Sequence, residues 1–250
     1  AGPGRVLALH LWPGLCLPVV AMDHLEHRFK AMGGLCRFRL DCPAEDLALQ
    51  AIDSAEAEVR RLEAKYSRYL PDSLTSRINR AAGSAAVAID GETARLLGFA
   101  DTLWQQSDGL FDLTSGILRR AWDFKSGQLP RQAEIECLLP LIGWDRVRWD
   151  EASISLPRAG MEIDFGGCVK EYASDSAAAV LAAHGIQRGL VDLSGDMAVV
   201  GVGSLNKPWP IGVRHPAAGA SRAVATVSLA RGGLASSGDY ERCIRIDGHR

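Results

Sequence analysis

An α+β fold, with helices packed on a mostly antiparallel sheet, is predicted from three observations. Amphipathic helical periodicity dominates the first half of the chain, whereas short β-prone runs separated by Gly, Pro, Asn and Ser dominate the second. Helices first and strands later favour segregated layers over an alternating parallel sheet. Finally, no G-x-G-x-x-G and no phosphate-loop pattern occurs, which disfavours a dinucleotide fold of the doubly wound kind.

From Glu45 to Tyr66, Leu47, Ala51, Ala55, Val59, Leu62 and Tyr66 recur at helical spacing with charged residues between them, predicting a long helix. A second helix is expected over Thr93 to Gln106, capped at Asp90 or Thr93 and stopped by Gly109. Val147, Trp149, Ile154 and Leu156 alternate around a polar turn at 150–153 and predict a hairpin. Met161 and Ile163 lead into Gly166 and Gly167, after which an alanine-rich helix runs from Lys170 to His184 and stops at Gly185. Gly189–Leu193, Trp209–Arg214, Val224–Leu229 and Arg242–Ile246 are the expected strands of the second half.

The 250 residues are 47% hydrophobic and 23% charged, enough for a sizeable core in one domain or two closely packed lobes. A net charge of −2 without blocks of like charge argues against a nucleic-acid partner. The six cysteines form no C-x-x-C pair and have no His at ligand spacing, so zinc is not expected, and they are read as reduced thiols. Val6 to Met22 is the longest apolar stretch, but His10, Pro13 and Pro18 interrupt it and it falls short of a membrane span, so no transmembrane segment is expected. Residues 1–25 are set aside as an N-terminal extension of uncertain origin, either a secretory remnant or non-native upstream sequence, and the domain is placed at 26–250.

Chemistry is concentrated in a few segments. Asp164-Phe165-Gly166-Gly167-Cys168-Val169-Lys170-Glu171-Tyr172-Ala173 takes the chain from a strand through a glycine turn into a helix. Glycines allow close backbone approach to a ligand, and the free N–H groups of a helix N-terminus attract an anion. Lys170 adds a full positive charge, poorly placed for the helix itself unless an anionic ligand is near; a solvated lysine is the plain alternative. Asp164 is suited either to a nucleotide or to capping the turn.

Ser107 to Gly116 carries Phe111 between polar residues, suited to a flat heterocycle or, equally, to an Asx-turn with a core aromatic. Tyr66-Ser67-Arg68-Tyr69 and Ser76-Arg77-Ile78-Asn79 are polar segments past the first helix and read best as loops. Ser236 to Arg242 is a polar segment suited to a site loop or an ordinary turn. No nucleophile-elbow motif occurs and the dispersed histidines receive no role.

Taken in order, Ala31-Met32-Gly33, Tyr66-Ser67-Arg68-Tyr69, Ser76-Arg77-Ile78-Asn79, Gly109-Leu110-Phe111-Asp112, the glycine turn with Lys170-Glu171-Tyr172-Ala173, Gly195-Asp196 and Ser237-Gly238-Asp239-Tyr240-Glu241 resemble the ApbE family, the FAD:protein FMN transferases. The resemblance runs from about Phe29 to the last residue, with Lys-Glu-Tyr-Ala where many members have Lys-Gly-Tyr-Ala. It implies an ApbE-like α+β fold that binds FAD and, with Mg²⁺, transfers FMN to a Thr or Ser hydroxyl of an acceptor flavoprotein subunit. By the same carry-over Met32, Tyr69, Leu110, Phe111, Asp112, Asp164 and Lys170 would line the FAD site, and the Gly167 carbonyl would meet the metal. The family's His-Ile-x-Asp-Pro motif and the metal-binding helix after it have no counterpart up to Arg250. The expectation is therefore a piece of a longer transferase or a flavin-binding module without transfer. The compartment is left open between the cytoplasm and the periplasmic face of the inner membrane.

Overall fold

The computed structural model describes residues 24–42, 44–124, 126–202, 205–215 and 223–237. The apolar stretch before residue 23, the expected strand Arg242–Ile246 and the Gly238-Asp239-Tyr240-Glu241 motif lie outside the described residues.

The architecture is α+β, as expected, and every strand pair among the described residues is antiparallel. The main sheet has the order β1-β2-β6-β7-β10, built from His24–Ala31, Gly34–Asp41, Arg188–Leu193, Asp196–Val200 and Gly233–Leu234. Phe29, Ala31, Cys36, Phe38, Leu40, Val191, Leu193, Ala198 and Val200 form its buried inner face. Helices α1 (Glu45–Tyr66) and α5 (Val169–Ala183) pack on that face and on each other. Ala48, Ala51 and Ala55 on α1, with Ala173 and Ala177 on α5, are small buried residues that keep the layer thin, while Ile52, Val59 and Leu62 fill the core.

On the opposite face a smaller cluster of Leu190, Trp209, Ile211 and Leu229 seats the hairpin β8 (Trp209–Arg214) and β9 (Ala223–Leu229). At that sheet's margin Arg188 joins β6 to Asp41 of β2 through a buried ion pair and lies 3.8 Å from the ring centre of Trp209. A third sheet, β3-β5-β4, pairs Val87–Ala88 and Arg148–Trp149 with Ser153–Ser155. Its register Trp149↔Ile154 realises the expected hairpin.

Helix α3 (Gly91–Gln106) begins where the sequence indicates, because Asp90 accepts the Thr93 amide at 3.0 Å, and the short α4 (Gln132–Leu138) follows it. The start of α5 at Val169 and its end before Gly185, at φ +88°, also agree with the sequence.

Three local expectations change. The chain contributes strands early: β1 and β2 form a hairpin through Met32-Gly33, in which His24 pairs with Asp41 and Leu25 with Leu40. The segment Ser76-Arg77-Ile78-Asn79 is part of α2 (Leu74–Arg80), not a loop. Ser73 accepts the Ser76 amide, and Leu74 and Ile78 bury one face of that short helix. The run Asp196–Val200, for which no strand is expected, forms an interior strand of the main sheet.

Candidate functional site

Two hairpin turns lie at one end of the main sheet. Met32 and Gly33, at φ +51° and +76°, turn β1 into β2, a geometry that glycine adopts freely and methionine does not. The Met32 amide donates to Glu63 Oε1 on α1 at 2.5 Å, which pins the turn to the helix. Ser194 and Gly195, at φ +59° and +103°, turn β6 into β7 beside it. Ser194 Oγ donates to the Leu35 carbonyl at 3.1 Å, and Gly34 leaves the space: a methyl on its Cα would lie 2.0 Å from that oxygen.

Asp196 follows the second turn on the helix-facing side, 5% exposed, and receives Lys170 Nζ at 2.8 Å. Ser174 Oγ donates to the Asp196 carbonyl at 2.9 Å, tying α5 to β7 one turn further along. The first turn of α5 therefore sits over this end of the sheet, and Lys170 is presented already oriented by a carboxylate.

The glycine turn before α5 is a short 3-10 segment, Phe165–Gly167, capped by Asp164, whose Oδ1 accepts the Gly166 amide at 3.0 Å. Phe165 is wholly buried, 5.0 Å from the ring centre of Tyr66, and fixes the turn to the end of α1. Arg68, just beyond α1, donates from Nη1 to Asp164 Oδ2 at 2.5 Å and from Nη2 to the Tyr69 hydroxyl at 2.9 Å. Tyr69 itself is 74% exposed. A methyl at Gly116 would lie 2.5 Å from the Asp164 Cβ, so only glycine lets these segments meet.

The Phe111 loop closes the group. Asp108 and Gly109, at φ +52° and +81°, leave Leu110 90% exposed, and the Phe111 amide donates to Ser107 Oγ at 2.9 Å. Phe111 lies against Gly167, where a methyl would be 3.1 Å from its Cε2. Asp112 is occupied within the protein: Oδ1 accepts the Thr114 amide at 2.7 Å and Oδ2 the Trp144 amide at 3.1 Å. Its carboxylate thus holds the loop that carries Phe111.

Tyr69, Phe111, Asp164 and Gly167 are accordingly joined through Arg68 and through ring-to-glycine contact, with Lys170 in the following turn. Met32 stands at the sheet end, its amide held by Glu63 of α1. Leu110 projects outward from the rim. Arg68, Glu63, Gly116 and Asp196 received no role from the sequence, because each acts through a partner distant along the chain; Arg68 and Asp196 stand in motifs of the family resemblance that name no role for them.

Glu171 is the unsettled charge of the site. One of its carboxylate oxygens is buried without a hydrogen-bond partner, and burial, with Asp196 adding repulsion, raises its pKa above the usual carboxylate range. Burial pushes the thiol of Cys168 up to about 12 and that of Cys36 to about 11, so neither is a nucleophile near neutral pH. Behind the site, Glu92 receives Arg61, Lys65 and the Tyr172 hydroxyl, and Arg61 foremost lowers its pKa to about 2.

The sequence model of the ApbE family matches residues 32–250. The chain belongs to the ApbE family. Among curated members, an FAD:protein FMN transferase of Klebsiella pneumoniae is 28% identical over 196 residues, covering 77% of this chain and 60% of the relative. One of Treponema pallidum is 26% identical over 238 residues, covering 88% and 66%. The chain thus spans about three fifths to two thirds of the length of these ApbE relatives. The ApbE protein of Thermotoga maritima superposes with a TM-score of 0.81 at 28% identity, over 90% of this chain and 74% of that one. The flavin transferase ApbE of Vibrio cholerae shares the fold, with a TM-score of 0.70 at 20% identity over 78% and 64%.

Proposed function

We propose that this chain carries the flavin-nucleotide site of an FAD:protein FMN transferase, which moves FMN from FAD to a Thr or Ser hydroxyl of an acceptor flavoprotein and releases AMP. The observation that carries this reading is the meeting of Asp164, Tyr69 and Phe111 beside the lysine-bearing N-terminus of α5. Aromatic and apolar groups at Tyr69, Leu110, Phe111 and Met32 suit a flat heterocycle. Lys170 and the free amides of the helix start suit a pyrophosphate.

In the transfer, the acceptor hydroxyl oxygen forms a bond to the FMN phosphorus, the P–O bond to AMP breaks so that AMP leaves with the electron pair, and the hydroxyl proton passes to solvent. This chain's contribution is to place the dinucleotide and to hold positive charge where the pyrophosphate lies. Asp164 offers carboxylate lone pairs to a nucleotide donor, and Asp112 keeps the Phe111 loop in position.

For a hard divalent cation the described residues supply only part of a donor set. The Gly167 carbonyl and the unpartnered oxygen of Glu171 are oxygen donors of the kind that Mg²⁺ takes, although among the described residues no group of three His, Cys, Asp or Glu side chains is arranged to hold a metal. Bound there, Mg²⁺ would supply charge neutralisation to the pyrophosphate. The acceptor is inferred from the enzyme class alone; among the described residues no helix is long and apolar enough to cross a membrane.

The test combines FAD titration of the purified chain with mass spectrometry of an acceptor subunit incubated with the chain, FAD and Mg²⁺. Saturable FAD binding and an added FMN mass on a Thr or Ser are expected. Binding without transfer would leave a flavin-binding module, and absence of both would remove the reading.

A further inference from the structure

We propose that Arg68 is a positioning residue of the nucleotide site, which fixes Asp164 and Tyr69 and cancels the Asp164 charge so that an anionic dinucleotide can settle beside it. The inference rests on the flavin reading above and names a residue to which that reading gave no part.

The geometry is specific. Arg68 sits where the chain leaves α1, and its carbonyl accepts Ser76 Oγ at 3.4 Å. Its side chain is mostly covered, and its planar fork reaches two partners at once: Nη1 meets Asp164 Oδ2 at 2.5 Å and Nη2 meets the Tyr69 hydroxyl at 2.9 Å. The guanidinium carbon lies 5.0 Å from the Tyr69 ring centre, so an otherwise exposed ring is held by hydrogen bond and by ring face together.

The other Asp164 oxygen is fixed by the Gly166 amide at 3.0 Å. Two donors thus set the plane of the carboxylate and leave its remaining lone pairs for a ligand N–H or O–H. A bare carboxylate there would repel a pyrophosphate drawn to Lys170. Paired with Arg68, Asp164 keeps its hydrogen-bonding capacity without its net charge. A lysine would retain the charge but, as a compact point charge, would not reproduce the fork between carboxylate and hydroxyl.

The experiment is calorimetric titration of FAD against the wild-type chain and its R68M, R68K, D164N and R68M/D164N variants, with thermal unfolding of each. R68M should weaken FAD by about tenfold or more, and R68K by about three- to fivefold, on the scale of charge-assisted hydrogen bonds. In the D164N background the R68M change should cost less than about threefold, because the charge to be cancelled is gone. Unchanged FAD affinity in R68M, with or without a lower melting temperature, overturns the proposal, as do full and independent effects of R68M and D164N. If R68M does not fold, R68K decides, and wild-type affinity in that variant overturns it. A wild-type chain that binds no FAD removes the flavin reading and this inference together, whereas wild-type binding with an indifferent Arg68 removes only the latter.

Discussion

The ring of Phe111 rests on the Cα of Gly167, so closely that a methyl group there would stand 3.1 Å from Cε2. Gly167→Ala should push the ring by a few tenths of an ångström and disturb the loop that Asp112 and Ser107 hold. We expect FAD affinity to fall about threefold to tenfold while the melting temperature changes little, since Gly167 is exposed. Titration and thermal unfolding read both, and a variant with full affinity would detach Phe111 from flavin binding.

Lys170→Ala should cost about ten- to hundredfold in FAD affinity, the worth of a charge-assisted contact of about 1.5–3 kcal/mol. It should also destabilise the fold, because Asp196 is nearly buried and loses its cation. Adding Asp196→Asn should restore much of the stability and none of the affinity. Recovery of binding in the double variant would show that Lys170 serves only the fold.

Glu171 sets a pH dependence. Its folded pKa is raised above the ordinary 4.5, so the folded chain binds that proton more tightly than the unfolded one. The associated stability is present below pH 4.5 and is lost as pH rises through the folded value. Glu171→Gln should therefore be more stable than wild type at pH 7, with the gap closing toward pH 4. Urea unfolding across this range measures it, and parallel profiles would contradict it.

Glu92 has the opposite sign. Held at about 2 by Arg61 first and Lys65 after it, its carboxylate contributes stability that is present above pH 4.5 and lost as pH falls toward 2. Glu92→Gln should unfold more readily at pH 7 and approach wild type below about pH 3. Because Tyr172 donates to Glu92 at 3.1 Å, hydrogen exchange in the first turns of α5 should quicken as well. Unchanged exchange there would confine Glu92 to the α1–α3 contact.

What the sequence discloses follows the range of the forces involved. Helix α1 is legible because Ala51, Ala55, Val59, Leu62 and Tyr66 report one buried face within a few turns, and α5 because Gly167 and Gly185 bracket it. The β1–β2 hairpin is less so, since its turn places Met32 where Asn, Asp or Gly ordinarily advertises a left-handed residue. Lys170 carries a local signal, a charge at a helix start, which suits an anionic ligand or a solvated lysine alike until the family resemblance is added. Arg68 and Asp164, 96 positions apart, have no such signal, and neither does the contact of Phe111 with Gly167. The family resemblance implies a ligand contact for Asp112, while its tie to Trp144 becomes visible only in three dimensions.

The pairing of β2 with β6, in which Asp41 finds Arg188 across 147 positions of chain, also dictates a timetable. While the protein is being synthesised, the N-terminal hairpin emerges early but cannot gain its central neighbour until residues 188–193 have left the ribosome. Contacts of such long range close slowly, after the helices between them have formed. Met32 and Lys170 are brought to the same sheet end only once β6 has paired, so the site proposed above for a nucleotide should form late in folding.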